Sequence, residues 1–522
     1  MITRYAPDGA VAAANHLAAA AGAAMLERGG NAVDAAIATA AGMAVTAPHM
    51  CGLGGDLFAL ISAGSCAPVA LNASGRAGSG ADAERLRAGG SSAMPFMHDV
   101  RSVTVPGCVD GLVSLHERFA TMGLEELLAP ARRLAHGGFP VSPTLAQESN
   151  ALAPEARAAV FGHSEALIRG RGIVLQGVDR ALADLARGGR AGFYEGSVGT
   201  ELLTLGAGEF TDDDLRARQA DWVEPLALAA LGRKLWTVPP NSQGYLALSS
   251  AWIADSVGIP QDPADEYWAF LLVEASRQAA FDRVAVLNEH ADGTALISPA
   301  RLEPRAAAVR GVVSRGLADV YDDGGTTYLC AVDRDRTCVS LIMSNGADFG
   351  SRLVLPDHGI FLHNRGIGFS LKHGHPAEYG PRRRPPHTLA PLLVTDTDNV
   401  VDTVLGTMGG DAQPQILLQL LTRLLMAGQE AGEAVEAPRW VLSGEARTGF
   451  DSWEGDDPLI VLVEHGAPPA WTRGLRRRGY DVAESSPGDQ SFGHAQIIRI
   501  TDDNLLSGAA DPRSGDGAFI GR

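Results

Sequence analysis

The sequence predicts an α/β protein, and three observations carry that reading. Alanine-rich helical stretches fill residues 10–28 and the segment from Asn31 past Val45. A β-hairpin pattern runs from Thr326 through a turn at Asp333-Arg334-Asp335 to Cys338–Met343. A strand at Thr403–Leu405, a glycine pair at Gly409-Gly410 and a helix from Ala412 to about Ala427 follow one another near the C-terminus.

The chain has 522 residues, 46% hydrophobic and 20% charged, a soluble globular composition with length enough for a large core. Its net charge of −18 argues against a nucleic-acid partner and against an anionic membrane surface. Five cysteines, an odd number with no Cys-x-x-Cys, fit a reducing compartment and no disulfide framework. Asn15, His16 and Gly22 interrupt the first alanine run, and no basic segment or cleavage site frames it, so it reads as a helix and not a signal peptide. No stretch has the uninterrupted apolar length of a membrane span, and the expected location is cytoplasmic. The histidines lack ligand spacing, so neither a metal nor a cofactor is expected.

In chain order, the first helix ends at Gly29-Gly30. Asn31 caps the second, with Asp34 in capping-box position. The loop Pro48 to Asp56 carries Gly52, Gly54 and Gly55 into a strand at Leu57–Ile61, paired with Val69–Asn72. A phosphate cradle follows a strand and opens a helix, and this loop does the reverse, so its glycines read as making room for nearby backbone. Val103–Pro106 reads as a strand, 109–118 as a helix, 125–230 as mostly helical up to a strand near Ala227–Leu231, and the segment around Glu274 as a long helix. Asp292 to Leu317 reads as polar and helical, and 318–325 as a mobile approach to the hairpin. Arg382-Arg383-Arg384 reads as a solvated face, with an alternative role in drawing in an anionic substrate. Asp411 is the expected N-cap of the last long helix, with Pro414 tolerated in its first turn. Strand, glycine pair and helix N-terminus aim backbone N–H groups at one spot, either a phosphate site or an oxyanion hole. No Lys-Ser/Thr follows the glycines.

The chemistry centres on Gly324-Gly325-Thr326-Thr327. A threonine is a strong nucleophile when its own α-amine serves as the base, and inside a chain that nitrogen is an amide without basicity. The reading therefore requires a cut between Gly325 and Thr326. The bland alternative is a loop followed by ordinary β-propensity.

Taken together, Gly29 to Ala36, the Pro48 to Gly55 loop, Val105-Pro106-Gly107, Leu128-Ala129-Pro130-Ala131, Gly324 to Thr327, Phe349-Gly350-Ser351, Gly409-Gly410, Ala437-Pro438-Arg439 and Asp511-Pro512-Arg513 resemble the γ-glutamyltransferase family of N-terminal-nucleophile (Ntn) hydrolases, in family order over nearly the whole chain. The resemblance implies a four-layer α/β/β/α sandwich. It implies a precursor that cuts itself into a large subunit, 1–325, and a small subunit, 326–522, which form a heterodimer, with a dimer of heterodimers as a further assembly. It assigns Thr326 as nucleophile with Thr327 behind it, Ser344 as a hydroxyl near the new amine, Asn345 or Gly346 as pocket lining, and Gly409 and Gly410 as the oxyanion hole.

Three features depart from the γ-glutamyl-specific pattern. His363-Asn364-Arg365 is followed by Gly366-Ile367-Gly368, without the acids that would hold an α-ammonium. His387-Thr388-Leu389-Ala390-Pro391 replaces paired serines. Asn72 to Ala77 offers only Arg76 as the carboxylate-binding arginine. An α-ammonium would lose its hydration there without gaining a partner. The pattern is similar to the bacterial amidohydrolase branch that includes oxamate amidohydrolase, with Arg365, His387, Thr388 and Arg76 suited to a small or carboxylate-bearing acyl group. The alternatives are a γ-glutamyltransferase with an altered pocket, a biosynthetic hydrolase of an acyl-type C–C bond, and a non-catalytic or nucleotide-binding α/β protein.

Overall fold

Alternating side chains on the Asp56–Ser62 strand set the layering. Leu57, Ala59 and Ile61 join one apolar cluster, whereas Phe58 and Leu60 join another. Strand side chains alternate between faces, so this strand is covered on both sides. The computed structural model describes residues 2–309, 325–443 and 460–522. Among these, two seven-stranded sheets lie face to face. The first runs Ala518–Gly521, Ala10–Ala13, Gly325–Val332, Cys338–Gly346, Asp56–Ser62, Val69–Ala73, Asp221–Val223. The second runs Arg4–Ala6, Leu506–Ala510, Ala495–Ile500, Val401–Thr407, Leu392–Thr395, Arg233–Thr237, Leu226–Ala230.

Phe58, Tyr328, Ile342, Trp236, Leu393, Val404 and Ile498 fill the space between the sheets. The outer face of the first sheet packs on helices His16–Glu27, Ala32–Thr46, Cys108–Phe119, Leu124–Gly137 and Gln176–Tyr194. That of the second packs on Tyr245–Val257, Glu266–Ala280 and Gln413–Leu425. This is the four-layer α/β/β/α sandwich. Every residue of Ala32–Thr46 is buried, and its alanines let the neighbouring helices and the sheet approach closely. The Asn31–Asp34 capping box is formed.

Several expectations need correction. Ala10–Ala13 is a strand between Gly325–Val332 and Ala518–Gly521, and the helix begins only at His16, capped by Asn15. Alanine favours a helix, but pairing with a strand on each side overrides that local preference here. The segment around Val103–Pro106 is not a strand. A 3₁₀ turn at Val100–Ser102 leads into an irregular loop held by Val105 N–H to Arg76 O. Arg384 is buried against Asp221 (2.8 Å), not part of a solvated face. Asp411 does not cap the helix. It pairs with Arg283 (2.7 Å), while a 3₁₀ turn at Gly410–Ala412 leads into Gln413–Leu425. Among the described residues 292–309 the helices are Gly293–Leu296 and Pro299–Ala308. Residues 310–324, including most of the expected mobile approach to Thr326, lie outside the described residues.

Candidate active site

Thr326, Ser344 and Asp56 stand side by side on three neighbouring strands, paired Thr326↔Ser344 and Ser344↔Asp56. A register shift separates Gly325 from Thr326. Thr326 is 1% exposed, and its Oγ1 lies 2.9 Å from Ser344 Oγ. The Ser344 hydroxyl donates to the Gly325 carbonyl (2.7 Å) and accepts from Gly346 N–H (2.8 Å). A carbonyl cannot donate, so the single Ser344 hydrogen points at Gly325 O, and Thr326 is left to donate to Ser344. One serine hydroxyl thus touches both the Thr326 hydroxyl and the carbonyl that precedes it.

Strand alternation turns Thr326, like Tyr328, toward the second sheet and Thr327 toward the helices. Thr327 Oγ1 is buried without a hydrogen-bond partner among the described residues. Tyr328 packs on Gly406, where a Cβ would stand 2.3 Å from its ring. The Val401–Thr407 strand therefore runs close by, and its end delivers Gly409 and Gly410. Their φ values of 135° and 50° lie in the positive region that favours glycine, and the 3₁₀ turn and helix follow at once. Gln243 Nε2 donates to both Thr388 O and Gly410 O (2.9 Å each), and Gln413 Oε1 accepts from Ala390 N–H (3.1 Å). The two glutamines fasten the His387-Thr388 loop to the glycine turn. Thr388 Oγ1 is buried and unpartnered among the described residues.

Asp56 is the electrostatic centre. Oδ1 accepts from Gly75 N–H (2.9 Å) and Gly107 N–H (3.2 Å), and Oδ2 from His387 Nε2 (3.2 Å). Burial alone would raise its pKa, but His363, His387 and the Gly75 N–H outweigh burial and hold it at about 2. Both imidazoles are neutral. His387 takes Leu389 N–H on Nδ1, and burial, with Arg365 nearby, depresses it to about 3. His363 takes Arg365 N–H on Nδ1 and donates from Nε2 to Thr104 O, so its 3.8 Å approach to Asp56 is not an ion pair. Arg365 is fully buried, and burial lowers its guanidinium to about 10 against the pull of Asp56 and Asp411. It is still a cation at neutral pH.

Asn345 Nδ2 donates to Pro48 O (3.1 Å), and its buried Oδ1 has no partner among the described residues. That oxygen also explains Gly55, where a Cβ would stand 2.4 Å from Ser344 O and 2.9 Å from Asn345 Oδ1. The loop's glycines make room for the site, in line with the structural reading of them. Arg76 turns elsewhere, to Asp221 (2.6 Å) and Arg218 O. A cavity of about 320 Å³ opens beside Ile367, Gly368, Pro386 and Arg283, next in sequence to Arg365, His387 and near Asp411. No cluster of three His, Cys, Asp or Glu side chains able to hold a metal occurs among the described residues.

Sequence reading did not find Asp56, Gln243 and Gln413, nor a role for the two Pro-Arg motifs. Arg439 and Asp511 pair in the interior (2.5 Å), and Arg439 also donates to Phe492 O (2.6 Å) and Gly493 O. Gly493 packs against Met408 O. The pair thus braces the chain behind the Gly409-Gly410 turn.

His49, His387 and His494 are buried and neutral, depressed chiefly by burial to about 3, 3 and 4, and His363 is lowered too. Unfolding restores each to about 6.5. The unfolded chain therefore binds more protons between about pH 6.5 and 3. Stability is full above that window and falls through it by up to about 1.4 kcal/mol per pH unit per imidazole. The thermal midpoint at pH 5 should lie clearly below that at pH 7, and equal midpoints would contradict this burial scheme.

Three comparisons bear on this geometry. The family model "Gamma-glutamyltranspeptidase" matches residues 18–520. The chain is 33% identical to a glutathione hydrolase-like proenzyme, YwrD, of Bacillus subtilis strain 168, over 98% of both chains. It is 34% identical to the oxamate amidohydrolase proenzyme of Klebsiella pneumoniae, again over 98% of both. The solved cephalosporin acylase of Bacillus halodurans superposes with a TM-score of 0.90 at 30% identity, covering 100% of this chain and 97% of that one.

Proposed function

This chain belongs to the gamma-glutamyltranspeptidase family of Ntn hydrolases, and from that premise we propose that it is a self-cleaving amidohydrolase whose nucleophile is Thr326. The observation that carries the proposal is the buried Thr326–Ser344–Gly325 relay. Thr326 Oγ attacks the Gly325 carbonyl while Ser344 donates to its oxygen. The C–N bond breaks, and water hydrolyses the resulting ester. The products are a large subunit ending at Gly325 and a small subunit beginning at Thr326, held together by the shared sheet. The freed α-amine then takes the Oγ proton, directly or through water. Oγ attacks the substrate carbonyl, Gly409 and Gly410 N–H groups receive the oxyanion, and the amine protonates the leaving group. Thr327 supports the strand behind the nucleophile. Asn345, Gly346, Arg365, His387 and Thr388 bound the acyl group, and Arg76 remains with Asp221.

The proposed substrate is a non-glutamyl amide with a small or carboxylate-bearing acyl group. Arg365 supplies a buried guanidinium beside the site, a cation at neutral pH within the field of Asp56 and Asp411. The carboxylate-bearing substrate in the name of the Klebsiella relative points the same way. We place the enzyme in the cytoplasm, supported by its free thiols, of which Cys66 is exposed.

One observation favours a second reading, a glutathione hydrolase with a rebuilt pocket: Glu148 and Asp348 line a small cavity at Gly325, where a carboxylate could meet an α-ammonium. A substrate panel decides. Small carboxylated primary amides such as oxamate should exceed γ-glutamyl-p-nitroanilide in kcat/KM by at least about 100-fold. Rapid γ-glutamyl release with transfer to glycylglycine would overturn the amidohydrolase proposal.

A further inference from the structure

The cavity beside Gly325 has an unusual wall. About 50 Å³ in volume, it is bordered by His49, Glu148, Gly325, Asp348, Met408 and His494. Both histidines are 3% exposed, and neither Nδ1 has a hydrogen-bond partner among the described residues. The His494 tautomer follows from its neighbour. Gln490 Nε2 donates to Gly488 O, so Oε1 faces His494 and takes the proton on Nε2. The His494 Nδ1 is left as a bare, buried acceptor. His49 spends its Nε2 contact on Thr144 Oγ1 (3.2 Å). Burial keeps both rings neutral, so the His494 Nδ1 lone pair persists across the neutral range. None of the steps described above uses either group.

Position gives this acceptor a task. In the reaction proposed above, the Thr326 nitrogen delivers a proton to the leaving group, which must come within about 3 Å of it. That nitrogen is bonded to the Gly325 carbon, and Gly325 is a wall of this cavity. Met408, on another wall, immediately precedes the glycine turn. A group placed here lies on the amine side of the nucleophile, beside the oxyanion donors.

We propose that the His49–His494 cavity is the leaving-amine subsite, built to take a small amine through an acceptor contact to His494 Nδ1, with His49 as the facing wall. Its volume, at roughly 10–15 Å³ for one water-sized occupant, holds only a few heavy atoms, so the fitting class is ammonia or a short primary amine. Atoms balance as acyl–NHR plus Thr–OH giving acyl–O–Thr plus H₂NR, then water restoring Thr–OH and releasing the acid. By reversal, the same subsite receives an incoming amine that competes with water for the acyl-enzyme. The proposal rests on Thr326 as the nucleophile, and the test separates the two.

Acylating the mature enzyme with p-nitrophenyl acetate involves no amine leaving group, and the p-nitrophenol burst counts competent sites. Hydroxylamine then serves as the probe amine, and acetohydroxamate is measured against acetate. The expected result is a partition ratio that saturates with hydroxylamine, is competed by methylamine, and shifts to at least tenfold higher half-saturation in His494→Ala. His494→Gln, which can keep an acceptor, should recover part of that loss. Strictly linear dependence on hydroxylamine in the wild type would overturn the subsite, as would an unchanged half-saturation in His494→Ala. If His494→Ala fails to mature, wild-type saturation and methylamine competition decide the matter. No burst in the wild type, or a burst that persists in Thr326→Ala, would instead remove the nucleophile itself and the subsite with it.

Discussion

Thr326→Ala should leave a single 522-residue chain where the wild type should give pieces of 325 and 197 residues, the smaller beginning at Thr326. Without the hydroxyl nothing attacks the Gly325 carbonyl, and without the cut no α-amine is available as base, so one substitution removes both catalytic groups. Loss of a covalent nucleophile in a hydrolase costs on the order of 10⁶ in kcat, and turnover should fall to background. The fold should survive. Ser344 keeps its bonds to Gly325 O and Gly346 N–H, and only one buried hydroxyl contact disappears, about 1 kcal/mol. Intact-mass measurement beside a melting curve separates chemistry from misfolding. Thr326→Ser should still cut, because the serine hydroxyl can make the same attack. A wild-type protein that stays whole after long incubation would end the Ntn mechanism for this chain.

How much of this was legible beforehand depended on sequence distance. The Thr326 hairpin, the Asn31–Asp34 capping box and the glycine turn at 409–410 are local signals, written within a few residues. The layers of the sandwich followed from family resemblance, since alternation along one strand does not say what covers it. Ala10–Ala13 shows the limit of local pattern. Alanine's helix preference is a weak prior, and it was overridden by a sheet completed from residues over 300 positions away. Asp56 was invisible for the same reason. Its partners lie 19, 51 and 331 residues along the chain, and an aspartate closing a glycine loop reads as a turn residue. The Arg439–Asp511 brace spans 72 residues, so both motifs could be matched as words while their joint work stayed hidden.

Asp56 is also where a single substitution should do most damage to the folded state. Asp56→Ala strands two buried N–H donors, at Gly75 and Gly107, and frees His387 Nε2. It also removes one of the two carboxylates that balance the buried Arg365. Breaking such a buried charge arrangement from one side costs about 3–5 kcal/mol, which for a chain of this size lowers the thermal midpoint by roughly 3–5 °C. Asp56→Asn tests whether shape or charge matters. The amide keeps one acceptor for the glycine N–H groups but turns an NH₂ toward His387 Nε2. That ring can switch tautomer only by setting a hydrogen against Leu389 N–H. One donor–donor clash follows in either tautomer, so Asn should recover only part of the loss. Both variants are best measured in the uncut Thr326→Ala chain, where no cleavage confuses the transition. Midpoints within 1 °C of the parent would mean that Asp56 carries no net charge burden, and that Arg365 is balanced by Asp411 alone.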